Sequence, residues 1–478
     1  MLKKGIFLII SLLIPGYLLA DVLSLDSCRS LALKNNKQIK MADEAIKGAG
    51  YMKKSAFSAY LPGIDFTGGY MYNQHKISLL GEDAKLPTMK FNPATQQYEY
   101  NLVTMPDGTP IKDPATGSYI PSEIAVIPKE AMTFDVHNVV AGAFTLTQPI
   151  YMGGQIRALN DIAKYGEEIA VSTRNAAVQD LLYGVDEAYW LVVSLREKQK
   201  LAESYVNLVD SLHHSVEVML EYGVATRSDL LTVDVRLNEA NIAYMKVTNG
   251  LSLARMALEQ LCGLPIDGET RLADEESLER TRNSAIPVYA MEDVYQRRQD
   301  LEALRKSISL LQGKEKLSLS AMMPKIVAIG TWSFSNPNVI DGFEKRFGGG
   351  FSVGAAVTIP LWHWGGNYNQ YQAAKSATAA QRLLLEDMEE KVELQVRQAR
   401  FKFDEAFKTL DMTRTNLEKA DENLRQAELA YKEGVLTIDD VTAAQTAWLQ
   451  AHSEVVDAEI GVRLCEVYLS KVLGLMPY

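Results

Sequence analysis

Four short stretches of the chain alternate apolar and polar residues with a period of two, and several long stretches repeat apolar residues every three and four positions. Ile64 to Asn73 sets Ile64, Phe66, Tyr70 and Tyr72 on one face and Asp65, Thr67, Gly69 and Asn73 on the other. Val140 to Pro149 places Val140, Phe144 and Leu146 opposite Ala141, Ala143, Thr145 and Thr147. Ile326 to Ser335 carries Trp332 and Phe334 against Thr331, Ser333 and Ser335, and Phe351 to Pro360 sets Phe351, Val353, Val357 and Ile359 against Ser352 and Thr358. Side chains of a strand alternate between faces, so each stretch predicts a strand with one apolar face and one small or polar face. The ten residues of each stretch match the ~9 to 11 of a tilted transmembrane strand, and a half-buried soluble sheet shows the same alternation. The smallest closed barrels have ~8 strands, so four that span a membrane require oligomerisation.

The other period is helical. Ala399, Phe403, Ala406, Leu410, Thr413, Leu417, Ala420, Leu424, Ala427 and Tyr431 alternate steps of four and three, a heptad that predicts left-handed supercoiling. A looser register runs from Ala188 to Leu220. Helices are predicted over 26–58, 155–221, 227–262, 291–320, 367–433 and 438–473. The two long ones would each run ~100 Å at the usual rise. The shorter ones match that length in pairs, so two short helices are expected to stack end to end along one long one.

Five punctuation residues recur 211 positions apart: Pro149 and Pro360, Gly223 and Gly434, Thr226 and Thr437, Asp229 and Asp440, Gly263 and Gly474. Such a constant spacing marks an internal duplication. In 222–230 and 431–441 a glycine suits the left-handed position after a helix. Thr226-x-x-Asp229 and Thr437-x-x-Asp440 then spell capping boxes for new helices. Both stretches are predicted to be sharp tips of antiparallel helix pairs. The segment 74–138 holds seven of the 16 prolines and reads as an excursion with at most short hairpins, while 336–350, with Gly348-Gly349-Gly350, reads as a loop. Residues 266–290, with Asp267, Glu269, Asp274, Glu275, Glu276 and Glu279, read as a solvated connection or a belt. The layout expected is a signal peptide at 1–20, a first repeat at 21–265, this connection, and a second repeat at 291–478.

A net charge of -11 excludes a nucleic-acid partner held by phosphate contacts. Lys3-Lys4, the apolar run from Gly5 and Ala20 before Asp21 predict an export signal. Cys28, Cys262 and Cys465 have no metal spacing, and Cys262 and Cys465 are expected to be buried on helices. The histidines have no metal spacing either and no nucleophile motif is present, so neither an enzyme nor a cofactor is expected. Trp362 and Trp364 follow the last strand, as an aromatic belt or as packing at the junction with the next helix.

Leu61-Pro62 ahead of a strand, Pro149 followed by Gly153-Gly154, Pro360 followed by Gly365-Gly366, and the doubled Gly-x-x-Thr-x-x-Asp tips together resemble the TolC-type outer-membrane efflux proteins. The likeness covers nearly the whole mature chain. It implies a mainly α fold with β: internally duplicated long α-helical coiled-coil hairpins forming a trimeric α-barrel, with four transmembrane β-strands per chain in a shared β-barrel. The implied function is the exit duct of a tripartite efflux system. A homotrimer would sit in outer-membrane lipid with a periplasmic extension, joined by a periplasmic adaptor (membrane fusion) protein to an inner-membrane pump of RND or ABC type. The outlet of a type I protein secretion system shares this architecture, and a soluble periplasmic coiled-coil scaffold is the alternative of another class. Asp229, Tyr431 and Asp440 match the family's periplasmic gate. Leu436 stands where an arginine link often occurs, and Ala443 where a second constricting acid can occur. Arg227 is expected either to replace that link by pairing with Asp439 or Glu433, or to remain solvated. Gly223, Val224, Ala225 and Thr226, with Gly434, Val435, Leu436 and Thr437, are the expected adaptor contacts.

Overall fold

A computed structural model describes residues 22–275 and 288–476. The expected signal peptide and part of the acidic connection, including Glu276 and Glu279, lie outside the described residues. The chain divides into two compact units.

One unit, Phe57–Arg157 with Leu317–Tyr368, holds the strands. They are β1 (Gly63–Tyr72), β2 (Ile77–Ser78), β3 (Ala84–Pro87), β4 (Met89–Asn92), β5 (Gln97–Tyr100), β6 (Ile124–Ile127), β7 (Thr133–Phe134), β8 (Asn138–Tyr151), β9 (Lys325–Asn336) and β10 (Gly348–Thr358). The short strands pair among themselves within the excursion as β2 with β7, β3 with β6 and β4 with β5. The four predicted strands form one antiparallel sheet in the order β1-β8-β9-β10. Its register aligns Phe66, Phe144, Trp332 and Phe351 in a single row across all four strands. On the other face, one residue along, Asp65, Thr145, Thr331 and Ser352 form a second row. The aromatic rings touch, with Phe66 4.8 Å from Phe144 and Phe144 5.9 Å from Trp332. Contacts of this kind fix register beyond what backbone pairing supplies.

Gly348-Gly349-Gly350 corrects the expectation of a loop, because all three residues belong to β10. The buried Asn338 side chain occupies the place that a Gly348 Cβ would take, and a Cβ on Gly349 would stand 2.9 Å from the Ser333 carbonyl oxygen. These glycines therefore serve close approach rather than flexibility.

The other unit comprises Ala158–Lys316, Asn369 onward and the described residues up to Ala56. The helices that build it are α1 (Leu25–Asn35), α2 (Lys37–Ser58), α3 (Gln155–Glu221), α4 (Arg227–Cys262), α5 (Met291–Arg297), α6 (Gln299–Ser320), α7 (Gly366–Lys432) and α8 (Ile438–Val472). Both α3 and α7 have 67 residues. The heptad of α7 faces inward, with Ala399, Phe403, Leu410, Thr413, Leu424 and Ala427 buried. The two repeats are tied together between α3 and α8 by ion pairs of Lys198 with Asp457 (2.7 Å) and Lys471 with Asp180 (2.8 Å). Arg29 of α1 makes a forked pair with the buried Asp186 of α3 at 2.7 and 2.6 Å.

The helices expected over 26–58 and 291–320 are each broken, and for the same reason. A helix leaves its last four carbonyls without intrahelical partners. Asn35 and Asn36 donate their side-chain amides to the carbonyls of Cys262 and Leu261, each at 3.3 Å. Arg298 donates to the carbonyl of Val472 at 3.3 Å. Each short helix thus breaks where its side chain caps the end of α4 or α8, and the next helix starts there. Cys28 and Cys262 are buried. Cys465 is only half-buried, against expectation, because it lines an open groove between α7 and α8 beside Ala406 and Gly461.

Gly263 and Gly434 share a left-handed backbone, at φ 69° and 73°. A Cβ on Gly263 would meet the Asn35 Cβ at 2.5 Å, whereas one on Gly434 would meet nothing within 4 Å. Gly434→Ala is expected to cost ~1 kcal/mol from backbone strain, and Gly263→Ala ~2 to 4 kcal/mol because crowding adds to it. Equal losses in thermal or denaturant unfolding would refute the packing argument.

Candidate functional site

The two helix reversals are built alike, atom for atom. After α3, Gly223 N–H donates to the Leu220 carbonyl (3.0 Å) and Val224 N–H to the Met219 carbonyl (2.8 Å). After α7, Gly434 N–H donates to Tyr431 (2.9 Å) and Val435 N–H to Ala430 (2.8 Å). This is the paired closure of a Schellman motif, with glycine at the left-handed position. The next helix begins at once in both copies. Thr226 Oγ1 accepts from Asp229 N–H at 3.2 Å, while Asp229 Oδ2 accepts from Thr226 N–H and Oγ1, each at 2.8 Å. Thr437 and Asp440 repeat this box at 3.3, 2.9 and 2.7 Å. Five residues therefore reverse the chain while the exposed helix ends keep partners.

These bonds set the charge state of the two acids. The Thr226 backbone N–H, then its hydroxyl, hold Asp229 below the usual carboxylate range. The Thr437 hydroxyl, then its backbone N–H, do the same for Asp440. Tyr431 is shifted the other way, raised first by burial and then by the negative charge of Asp229. The structure thus brings Tyr431 of the second repeat toward Asp229 of the first.

Apolar packing holds the tips side by side. Leu230, Val233, Ile438 and Val441 share a cluster with Val209, Leu212 and Val216, and Ala225 and Tyr431 pack against it. Leu436 packs against Leu424, Ala427 and Ala444. At the position where the resemblance leads one to expect an arginine, the chain therefore has an inward-facing anchor. Arg227 is exposed, and among the described residues it forms no ion pair with Asp439, Glu433 or any other carboxylate of its own chain. Asp440 is exposed and bonds only to Thr437 among the described residues. Ala443 is exposed. Val224 and Val435 project outward at the two tips, 76% and 75% exposed.

Sequence reasoning missed the cross-ties above the tips. In the first hairpin His213 Nε2 lies 2.8 Å from Asp234 Oδ1. In the second, Trp448 Nε1–H donates to Asp421 Oδ1 (2.8 Å), and His452 Nε2 lies 3.3 Å from the same oxygen. His213 and Asp234 are equidistant from the Gly223–Val224 turn, as are Asp421 and Trp448 from Gly434–Val435. Residues placed symmetrically about an antiparallel reversal face each other, and that symmetry was the available signal. Trp362 and Trp364 are strongly exposed and stack edge to face at 5.9 Å.

The family model for outer membrane efflux proteins matches residues 133–264 and 290–475. No curated protein matches the sequence significantly. Among solved structures, the chain is similar to the outer membrane protein VceC of Vibrio cholerae, with 14% identity, a TM-score of 0.71, and coverage of 94% of this chain and 96% of that one. It is likewise similar to the Campylobacter jejuni CmeC outer membrane channel (15% identity, TM-score 0.69, 95% and 86% covered). The open state of the Neisseria gonorrhoeae MtrE outer membrane channel gives 16% identity and a TM-score of 0.70, with 94% and 88% covered.

Because both capping acids titrate below their ordinary value of 3.8, the stability they add is present above the unfolded value and is lost as pH falls through the lower folded one. Hydrogen-exchange protection of the Thr226 and Thr437 amides is expected to hold from pH 7 to ~5 and to collapse below ~4. The step is expected to disappear in Asp229→Asn with Asp440→Asn; a step that survives both substitutions would assign it elsewhere.

Proposed function

The chain belongs to the outer membrane efflux protein family, and from that premise we propose that it is the exit duct of a tripartite efflux system. The observation that carries this reading is the four-stranded sheet with one aromatic, apolar face and two outer strands, β1 and β10, each paired on one side only. In hydrocarbon an unpaired strand edge costs several kcal/mol per backbone group, so a spanning sheet must close on itself. Four strands are too few. Three copies joined β1 to β10 give a closed barrel that leaves no edge, with the aromatic row turned to lipid.

In this reading residues 1–20 direct export, 21–265 and 291–478 are the two repeats, and 266–290 connects them. The helical hairpins extend into the periplasm as a passive conduit. An inner-membrane pump of RND or ABC type supplies energy through a periplasmic adaptor. The tips form the periplasmic gate, with Asp229, Tyr431 and Asp440 lining it. Arg227, having no partner in its own chain among the described residues, is positioned to pair across to a neighbouring copy. The exposed Val224 and Val435, on the turns from Gly223 to Thr226 and Gly434 to Thr437, supply the adaptor contact.

Outer-membrane fractions are expected to yield a heat-modifiable trimer that conducts in planar bilayers, and Arg227→Ala is expected to raise single-channel conductance by weakening closure between copies. A soluble monomer would overturn the duct, and unchanged conductance would remove Arg227 from the gate. A photo-cross-linker at Val224 or Val435 is expected to capture an adaptor; co-capture of a pump that exports polypeptides would assign the duct to type I secretion instead.

A further inference from the structure

The four long strands carry only two charged side chains, Asp65 in β1 and Lys325 in β9. Both fall on the face opposite the aromatic row. Asp65 sits in the row with Thr145, Thr331 and Ser352, and the neighbouring row on that face is Thr67, Ala143, Ser333 and Gly350. Side chains at this level are therefore small or neutral hydroxyls, with one carboxylate per chain. Lys325 is paired with Thr358 at the end of the sheet. It stands six residues from Thr331 along β9, or ~20 Å at the usual strand rise. The two charges lie too far apart to neutralise each other across water at ordinary salt.

We infer that Asp65 makes the β-barrel section of the duct selective for cations. The inference rests on the closed barrel proposed above. Given that barrel, the aromatic face meets lipid and the face carrying Asp65 meets the lumen, because lipid-facing and lumen-facing residues alternate along every strand. Threefold repetition puts three carboxylates at one level, a ring whose charges no lumen neighbour in its own row or the next one offsets. A ring of carboxylates favours cations by field alone, without binding them tightly. Cargo crossing this section is accordingly expected to be neutral or cationic rather than anionic. The charge lies in the barrel and acts independently of Asp229 and Asp440 at the tips.

The test is the reversal potential of the full-length trimer in a planar bilayer under a potassium chloride gradient at ~0.1 M. Asp65→Asn is expected to lower the cation-to-anion permeability ratio roughly threefold, and Lys325→Gln to raise it. A second variant separates charge from folding. Asp65→Cys in a Cys465→Ser background leaves Cys28 and Cys262 as buried thiols. Sulfonate-bearing methanethiosulfonate is expected to restore cation preference and the ammonium-bearing reagent to invert it. A wild-type trimer that does not conduct would overturn the duct itself. A conducting trimer whose reversal potential is unmoved by Asp65→Asn, or whose Asp65→Cys variant resists both reagents, would overturn the inference while leaving the duct in place.

Discussion

The reversal of each long helix within five residues is the constraint on which the structure depends. A 67-residue helix that ends in water exposes four carbonyls, and the helix that follows exposes four amide hydrogens. Glycine at φ 74° and 73° lets the first set close back on the helix, and the Thr–Asp box closes the second. Only with both satisfied can α4 start beside α3, and α8 beside α7, in the register their apolar faces require. The shared cluster around Val216, Leu230, Ile438 and Val441 follows from that register. An error of one residue at either turn would rotate those faces by ~100°.

The duplicated turns were legible because they rest on residue types with few substitutes: glycine for a left-handed backbone, threonine and aspartate for a box of fixed spacing. The strands were legible because a period of two survives any change of neighbour. The register across β1, β8, β9 and β10 was not, since nothing in four separate stretches says that Phe66, Phe144, Trp332 and Phe351 share a row. The breaks at Asn36 and Arg298 were hidden for a related reason. Their causes are the carbonyls of Leu261 and Val472, distant in sequence and supplied only when helices stack end to end. Gly348-Gly349-Gly350 misled because the same residue serves flexible loops and tight approach, and only Asn338 and Ser333 decide between them.

At the tips, spacing alone was enough to read the capping roles of Asp229 and Asp440, but it could not place Tyr431 near Asp229. That proximity depends on the second repeat lying against the first. The side chain of Leu436 carries the same lesson. Read along the sequence, it is a missing cation; in the fold it is an apolar anchor on Leu424, Ala427 and Ala444. A tip fastened by packing has its cohesion spread over several side chains rather than concentrated in one ion pair.

The two repeats share a backbone frame but fill it differently, and the difference has a direction. At one level the first hairpin has His213 against Asp234. The equivalent positions of the second, 211 residues on, are Leu424 and Gln445. Gln445 is buried, and its Oε1 has no partner among the described residues. A buried polar oxygen without a partner costs roughly 1 to 3 kcal/mol, a cost that the His213–Asp234 pair of the first hairpin does not carry. Three residues farther from the turn, Asp421 draws in both Trp448 and His452, a tie that the first hairpin, with Leu237 opposite Asp210, does not have. The second hairpin therefore carries an unsatisfied oxygen nearer its turn and a three-membered tie farther from it, where the first hairpin carries a single pair nearer its turn.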